Sequence, residues 1–452
     1  MKKAWMLFGF LIWLIFALLP DTGVLSQQSA PALRQEAFEV VWQRVKEKHY
    51  DPTLNGVDWD AVHEKYAPRV AAVKTDDELY SLLNQMLGEL KESHFLVFPP
   101  SVYVGEEEKE QTPPERAGGS EAGNPREGVV GLQIKLVEGR PTITCVEPNS
   151  AAARAGLRPG FIVTHVGDAS VEEIQQKVAA RKERPTIEQF MFVRAVAGRL
   201  GGAVDSTVAV RYLDQDDKPH TVELKRGSPE GEPIKFGELP RLYAKIETKR
   251  LANGIGYVRF NIFLVPLLAK IQQAIKSLHD APGIILDLRG NPGGVAGMAA
   301  GVARLFCSEQ SLLGTMKLRR GEIRFVVYPI QEQLPYRGPL AILTDEGTAS
   351  TSEILAGGMQ ESGRAIIVGQ PSTGAVLPSV VEKLPIGARL QYAIADFKTP
   401  KGILLEGRGV QPNVVVEITR RDLLAGLDPV LEKGISVLLK QRAQSAASKS
   451  SQ

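Results

Sequence analysis

The sequence predicts a multidomain α+β chain: an N-terminal helical region, a small strand-rich module and a larger α/β core. Three observations predict it. Helical periodicity runs from about Gln35 to Leu90, short strands follow from Gly128 to about Pro229, and apolar runs then alternate with helical stretches to Asp428. At 452 residues the chain has length for about three domains. Apolar residues at 43% and charged residues at 23% exclude wholesale disorder.

The first segment is a leader. Lys2 and Lys3 precede an uncharged apolar run from Ala4 to Pro20, the pattern of a secretory signal, with Val24-Leu25-Ser26 before a cut at Gln27. The same run sits at the lower edge of what spans a bilayer, so residues 1–26 read as a signal peptide or an uncleaved anchor. Either implies export, to the periplasm or outside the cell, with a membrane tether through residues 1–20 under the second. No Cys follows the run, which excludes a lipoprotein leader. Lys plus Arg is 54 against 52 for Asp plus Glu, a net charge of +2 that offers no footprint for nucleic acid. Cys145 and Cys307 are too few for a disulfide framework or a cysteine metal site, and their apolar settings predict buried thiols. No metal and no cofactor is implied.

Residues 35–103 are expected to form the helical domain. AFEVVWQRVKEKHY, DWDAVHEKYAPRVAAV and DDELYSLLNQMLGEL each carry helical periodicity, with Asp58 and Thr75 where N-caps belong. SHFLVFPP then reads as a short extended stretch stopped by Pro99 and Pro100. Residues 104–127, rich in charge, Pro and Gly, read as a flexible linker without a core of their own.

Residues 128–230 change to short strands, GVVGLQIKLVEG, RPTITCVEP, FIVTHVGD, VAVRYLD and HTVELKRG, with a short helix ended by Gly156 and another over Val171–Arg181. Gly131-Leu132-Gln133-Ile134 and the Ala-Ala-x-Ala-Gly-Leu-x-x-Gly-Phe-x-Val run from Ala152 to Val163 resemble a PDZ domain. That resemblance implies a groove that adds a chain end as a strand, with Gly131–Ile134 holding the terminal carboxylate. A spacer without a ligand is the alternative, because the segment 184–203 is longer than a minimal PDZ domain needs.

Residues 231–430 form the expected core. IGYVRFNIF, GIILDL, LAILTD and AIIVG alternate with helical stretches such as AAGVARLF and SEILAGGMQES, which implies a largely parallel sheet with its site at the strand C-terminal ends. One such end is Asp287-Leu288-Arg289-Gly290-Asn291-Pro292-Gly293-Gly294, whose glycines leave backbone N–H groups unobstructed. It lacks a P-loop lysine and a dinucleotide fingerprint. Asp287 and Arg289 read as a pair shaping the turn. The other end is Glu346 to Glu353, which sets Ser350 at a helix N-terminus where developing negative charge is favoured. Ser350-x-x-Glu353 is also a capping box that needs no catalysis.

Together DLRGNPGG, EGTASTSEILAGGMQESGRAIIVG and EGRGVQPNV resemble the tail-specific, or C-terminal processing, serine peptidases, whose core has a crotonase/ClpP-like α/β fold. The resemblance implies Ser350 as nucleophile and the N–H groups of Gly294 and Thr351 as oxyanion donors. It implies a substrate made of protein or peptide C-termini. The better-known branch carries a lysine base and a glutamine where this chain has Ala375 and Ser379, so no lysine dyad is available there. The chain is similar instead to relatives of the tricorn-protease core. These imply His94 as base, Glu406 as the third member and Ser93 as a relay between them. A base near the ordinary histidine pKa of about 6.5 implies a kcat/KM that rises towards neutral pH.

His49, His63, His165, His220 and His279 have no partner motif and read as structural, while Lys398 and Lys401 lie at an exposed turn. Residues 431–452 are expected to complete the chain as a C-terminal helix and disordered tail. An inactive peptidase-fold binding protein and a membrane-anchored scaffold remain the alternatives to an exported serine endopeptidase, and the oligomeric state is open.

Overall fold

The computed structural model describes residues 30–100, 127–180, 184–235, 241–329 and 334–450. The expected leader at 1–26 and nearly all of the expected linker at 104–127 lie outside the described residues. Among the described residues, no helix is long and apolar enough to cross a membrane.

The N-terminal helices span Ala30–Lys48, Trp59–Val70 and Asp76–Gly88. The Asp58 side chain accepts from the Ala61 N–H, and Thr75 forms a reciprocal capping box with Glu78. Their core is not theirs alone. Phe38, Leu83 and Met86 pack in one cluster with Leu377, Leu390 and Tyr392 of a distant hairpin. The strand Leu96–Phe98 joins that hairpin, with Val97 opposite Leu390, in the antiparallel sheet Leu96–Phe98, Arg389–Ala393, Ser379–Lys383. A strand of residues 231–430 thus builds the helical region, and its pairing brings Ser93-His94 to the larger sheet.

That larger sheet has six strands in the order Ile246–Arg250, Gly256–Phe260, Ile284–Asp287, Leu340–Thr344, Ile366–Gly369, Val414–Val415. The first pair is antiparallel and the other four are parallel. Both faces are covered, which explains the continuous apolar runs. Val258, Leu286 and Ile342 pack beneath the helices Leu267–Ser277, Gly297–Ala303 and Thr351–Glu361, while Tyr257, Ile285 and Leu343 meet Val430 and Leu438 of the helix Pro429–Ser450. That last helix is continuous to Ser450, over the stretch expected to hold a disordered tail; Ala, Gln and Lys in RAQSAASKS favour it.

The module from Gly128 to about Pro229 is an antiparallel sheet with the main order Leu132–Val137, Arg140–Val146, Ile162–Val166, Thr207–Leu213, Pro219–Lys225. Helices Ala151–Arg154, Val171–Ala179 and Pro185–Leu200 accompany it. Phe192 and Val196 of the last helix enter the core with Ile134, Ile143 and Val163, so the unexpectedly long segment is a packed helix. The module is tied to the large sheet by Lys135, whose Nζ lies 2.5 Å from Asp345 Oδ2 and 2.9 Å from Glu346 Oε1. Cys307 is buried as expected, but Cys145 is only half-buried, because it lies near the end of its strand where packing thins.

Candidate active site

Three loops leave the C-terminal ends of adjacent parallel strands and meet. The first follows Asp287, which is fully buried and bridged by Arg289; Arg289 also reaches Asp428. Burial works against ionised Asp287, but the adjacent Arg289 holds its pKa down at about 2. Asn291 then ties the loops together. Its side chain accepts from the Gly293 N–H and donates to Phe260 O, while its carbonyl accepts from the Ala349 N–H and the Ser352 hydroxyl.

Gly293 and Gly294 have to be glycine. A Cβ on Gly293 would stand 2.7 Å from both Ser350 Cβ and the Thr351 nitrogen, and one on Gly294 would stand 2.2 Å from Phe263 O. Their φ values of 92° and 140° are also ones that other residues rarely adopt. Gly293 O and the Val295 N–H both bond to Phe263, so the Gly294 peptide groups face the opposite side. On that side Gly294 O accepts from Thr351 Oγ1 at 2.9 Å. Thr351 is the first residue of its helix, whose N–H the helix ladder leaves unused. The N–H groups expected as oxyanion donors therefore belong to two loops pressed together beside Ser350.

Ser350 itself has φ 54° and ψ −119°, outside the extended conformation of an ordinary N-cap. Its N–H donates to Ala375 O and to Glu353 Oε2, both at 2.9 Å. Glu353 is fully buried and also accepts from the Gly374 and Ala375 N–H groups and from the Ser372 hydroxyl. Burial pushes its carboxyl up to about 7, against the pull of those donors and with a smaller push from Glu406. Sequence reasoning saw Glu353 only as a cap; its grip on the 372–375 loop has no local signal. Glu353→Gln puts an NH2 among donors, so it is expected to cost about 1–3 kcal/mol of stability and to lower turnover. A thermal melt and initial rates check both.

The other half of the site is reached one residue further on. The Val376 N–H donates to Glu406 Oε2 at 2.8 Å, and Glu406 also accepts from the Ser93 N–H and hydroxyl, both at 3.0 Å. Ser93 Oγ lies 2.7 Å from His94 Nδ1. Glu406, Ser93 and His94 are thus joined in that order. Burial raises the Glu406 carboxyl pKa. The His94 ring is only half-exposed, and desolvation lowers its pKa to about 4, not the 6.5 of a solvated imidazole. Among the described residues no hydrogen bond joins His94 to Ser350, so the structure links the two through Ala375 and Val376. Both have positive φ, 63° at His94 and 54° at Ser350, a strained choice for residues with side chains.

Behind His94, His49 is fully buried and bonds Glu92 Oε2 at 2.7 Å. His63 meets Glu39, His220 meets Asp214, and the rings of His279 and Tyr336 touch. Lys398 and Lys401 are exposed. Ala375 is 6% exposed, and its N–H and carbonyl are both engaged, by Glu353 and the Ser350 N–H. Gly131 to Ile134 begin the edge strand of the module and line a groove against the large sheet.

Strand-end loops converging on a serine at a helix N-terminus describe a hydrolase-type α/β site. Comparison with known proteins finds similarity to peptidases: residues 254–416 match the model of peptidase family S41, and residues 30–88 that of the tricorn protease C1 domain. The chain is 27% identical over 410 residues to a carboxyl-terminal-processing protease of Picosynechococcus, covering 89% of this chain and 88% of that one. It is 26% identical to the chloroplastic carboxyl-terminal-processing peptidase 3 of Arabidopsis thaliana, covering 84% of this chain and 68% of the other. Among solved structures, a photosystem II D1 C-terminal processing protease superposes with a TM-score of 0.56 at 24% identity, covering 85% of this chain and 93% of that one. Mature CPAF complexed with lactacystin gives 0.61 at 12% identity, covering 91% and 99%. These two share the fold.

Proposed function

We propose that the protein is an exported serine endopeptidase of the C-terminal processing type, cutting near the C-termini of other proteins. The observation that carries it is the chain Glu406, Ser93, His94, joined through Val376 and Ala375 to Ser350. Similarity to carboxyl-terminal-processing proteases over most of the chain supports the same reading.

In this reading Ser350 Oγ attacks the scissile carbonyl and its proton passes to His94 Nε2. The N–H groups of Gly294 and Thr351 stabilise the oxyanion. His94 returns the proton to the leaving amine, which departs, and water then hydrolyses the acyl-enzyme by the same steps. Glu406 sets the tautomer. A carboxylate only accepts, so the Ser93 proton points to Glu406 and Ser93 Oγ accepts from His94 Nδ1–H. That leaves Nε2 unprotonated, as a base requires.

Residues 128–230 act as a PDZ domain, whose Gly131–Ile134 end holds the substrate's terminal carboxylate while the chain lies along the edge strand. Residues 1–26 direct export. The test is labelling of the protein by a fluorophosphonate probe, lost in Ser350→Ala, with cleavage of a peptide offered as free acid and as amide. Amidation is expected to raise KM about tenfold or more, as loss of a charge-assisted contact does. No labelling and no cleavage would make the protein an inactive binder, whereas equal handling of acid and amide would reduce the module to a spacer.

A further inference from the structure

The groove between the edge strand Leu132–Val137 and the helix Pro185–Leu200 encloses a cavity of about 290 Å3. Its module side combines apolar Ile134, Phe190, Val193 and Leu200 with Lys135 and Arg194, while its other wall belongs to the large sheet and carries Arg259, Arg289 and Glu346. The charges are unevenly partnered. Arg289 is held by Asp287 and Asp428, and Lys135 by Asp345 and Glu346. Arg194 and Arg259 also line the cavity, and among the described residues neither has a hydrogen-bonded carboxylate. Arg259 senses Asp287, but that carboxylate is already bonded to Arg289 and the Tyr257 hydroxyl. Arg194 lies over the Phe190 ring at 5.6 Å. It keeps solvent access, yet the protein around it strips enough water to lower its pKa.

Among the described residues, two guanidinium groups without a bonded carboxylate line one groove, and a carboxylate matches the fork of each. The place of that anion follows from spacing. Leu200 and Gly131 line the same end of the groove, where the chain end would sit. Arg194 is six residues back along the helix, about 9 Å at 1.5 Å per residue. An extended chain covers that distance in about three residues.

We infer that the groove selects C-terminal segments bearing an Asp or Glu side chain two or three residues before the chain end, received by Arg194 and Arg259. This rests on the reading of the groove as a strand-accepting receptor and adds the chemistry that it prefers. It makes the large sheet part of the receptor, since Arg259 stands on a central strand of that sheet.

The test is binding, independent of turnover. Fluorescein-labelled octapeptides with an apolar end and Asp, Asn or Lys third from last are titrated by anisotropy into full-length Ser350→Ala protein. Replacing Asp by Asn is expected to raise Kd about tenfold, and Arg259→Gln to remove most of that difference. Arg194→Glu should reverse the order so that the Lys peptide binds best, a gain that misfolding cannot produce. Equal Kd for the Asp and Asn peptides overturns the inference, as does an unchanged order in Arg194→Glu. Sensitivity to terminal amidation without sensitivity to the acidic side chain overturns it too, leaving a receptor for chain ends only. If no peptide binds, the inference fails, while fluorophosphonate labelling of the unmutated protein still decides the peptidase reading separately.

Discussion

Ser350→Ala is expected to abolish peptide cleavage, with a loss on the order of 10⁶-fold in kcat, while the protein stays folded. The effect on stability is expected to be small for a stated reason. The contacts that place residue 350 are made by its backbone, through Ala375 O and Glu353, and alanine keeps them. Loss of the hydroxyl should cost about 1 kcal/mol, the typical value for an N-cap side chain replaced by alanine. The neighbouring hydroxyls cannot take over. Ser352 Oγ donates to Asn291 O and is fully buried, and Thr351 Oγ1 donates to Gly294 O. Initial rates on a C-terminal peptide and a thermal melt of the same sample read the two quantities. Turnover near the unmutated level in a folded Ser350→Ala protein would place the nucleophile elsewhere and remove the basis of the reading.

The parts of this molecule legible in its sequence are those set by local chemistry. Asp58 and Thr75 cap helices because a side-chain oxygen three residues before a free N–H needs nothing else. The strands at Ile284–Asp287, Leu340–Thr344 and Ile366–Gly369 are visible because burial on both faces makes them continuously apolar. The strands at Ser311–Leu318, Glu322–Val327 and Ser379–Lys383 carry mixed, partly exposed patterns that no periodicity marks, and Arg389–Ala393 is too short and polar in sequence to stand out although it is buried. Equally unmarked is the pairing of Val97 with Leu390, a contact between residues nearly 300 positions apart that no window of sequence contains.

The site divides the same way. Ser350 is legible from its place between an apolar strand and a helix start. His94, Ser93 and Glu406 came from likeness to a family motif, not from any pattern that brings them together. Glu353 could be seen only in its smaller role, because its partners Gly374 and Ala375 are supplied by the fold. The link from Lys135 to Asp345 has no sequence signal; Asp345 in turn accepts from the Gly290 and Gly347 N–H groups, so the module touches the loop that carries the nucleophile. The lowered pKa of His94 has no sequence signal for a related reason. A reference value of about 6.5 belongs to a ring in water, and burial is decided by tertiary packing.

His94→Ala is expected to lower kcat/KM by about 10³-fold or more, since members of such a set act as a unit. Glu406→Gln should cost less, on the order of 10²-fold, by acting on the proton and not on the ring. Three donors converge on the two Glu406 oxygens, and an amide must present its NH2 to at least one of them. If it faces the Ser93 hydroxyl, that hydroxyl turns to donate to His94 Nδ1, the proton moves to Nε2, and the base is lost. The pH profile distinguishes these roles. Because burial lowers His94 to about 4, its neutral form is present through the neutral range. Log kcat/KM should therefore fall with unit slope only below about pH 4. A step near pH 7 would belong to Glu353, whose carboxyl burial raises to about 7, and Glu353→Gln should remove that step while leaving the lower limb. The lower limb in turn should disappear from the residual activity of His94→Ala. A single limb at 6.5 that survives His94→Ala, or near-normal turnover in that variant with loss in Lys398→Ala or Lys401→Ala, would show that His94 is not the base.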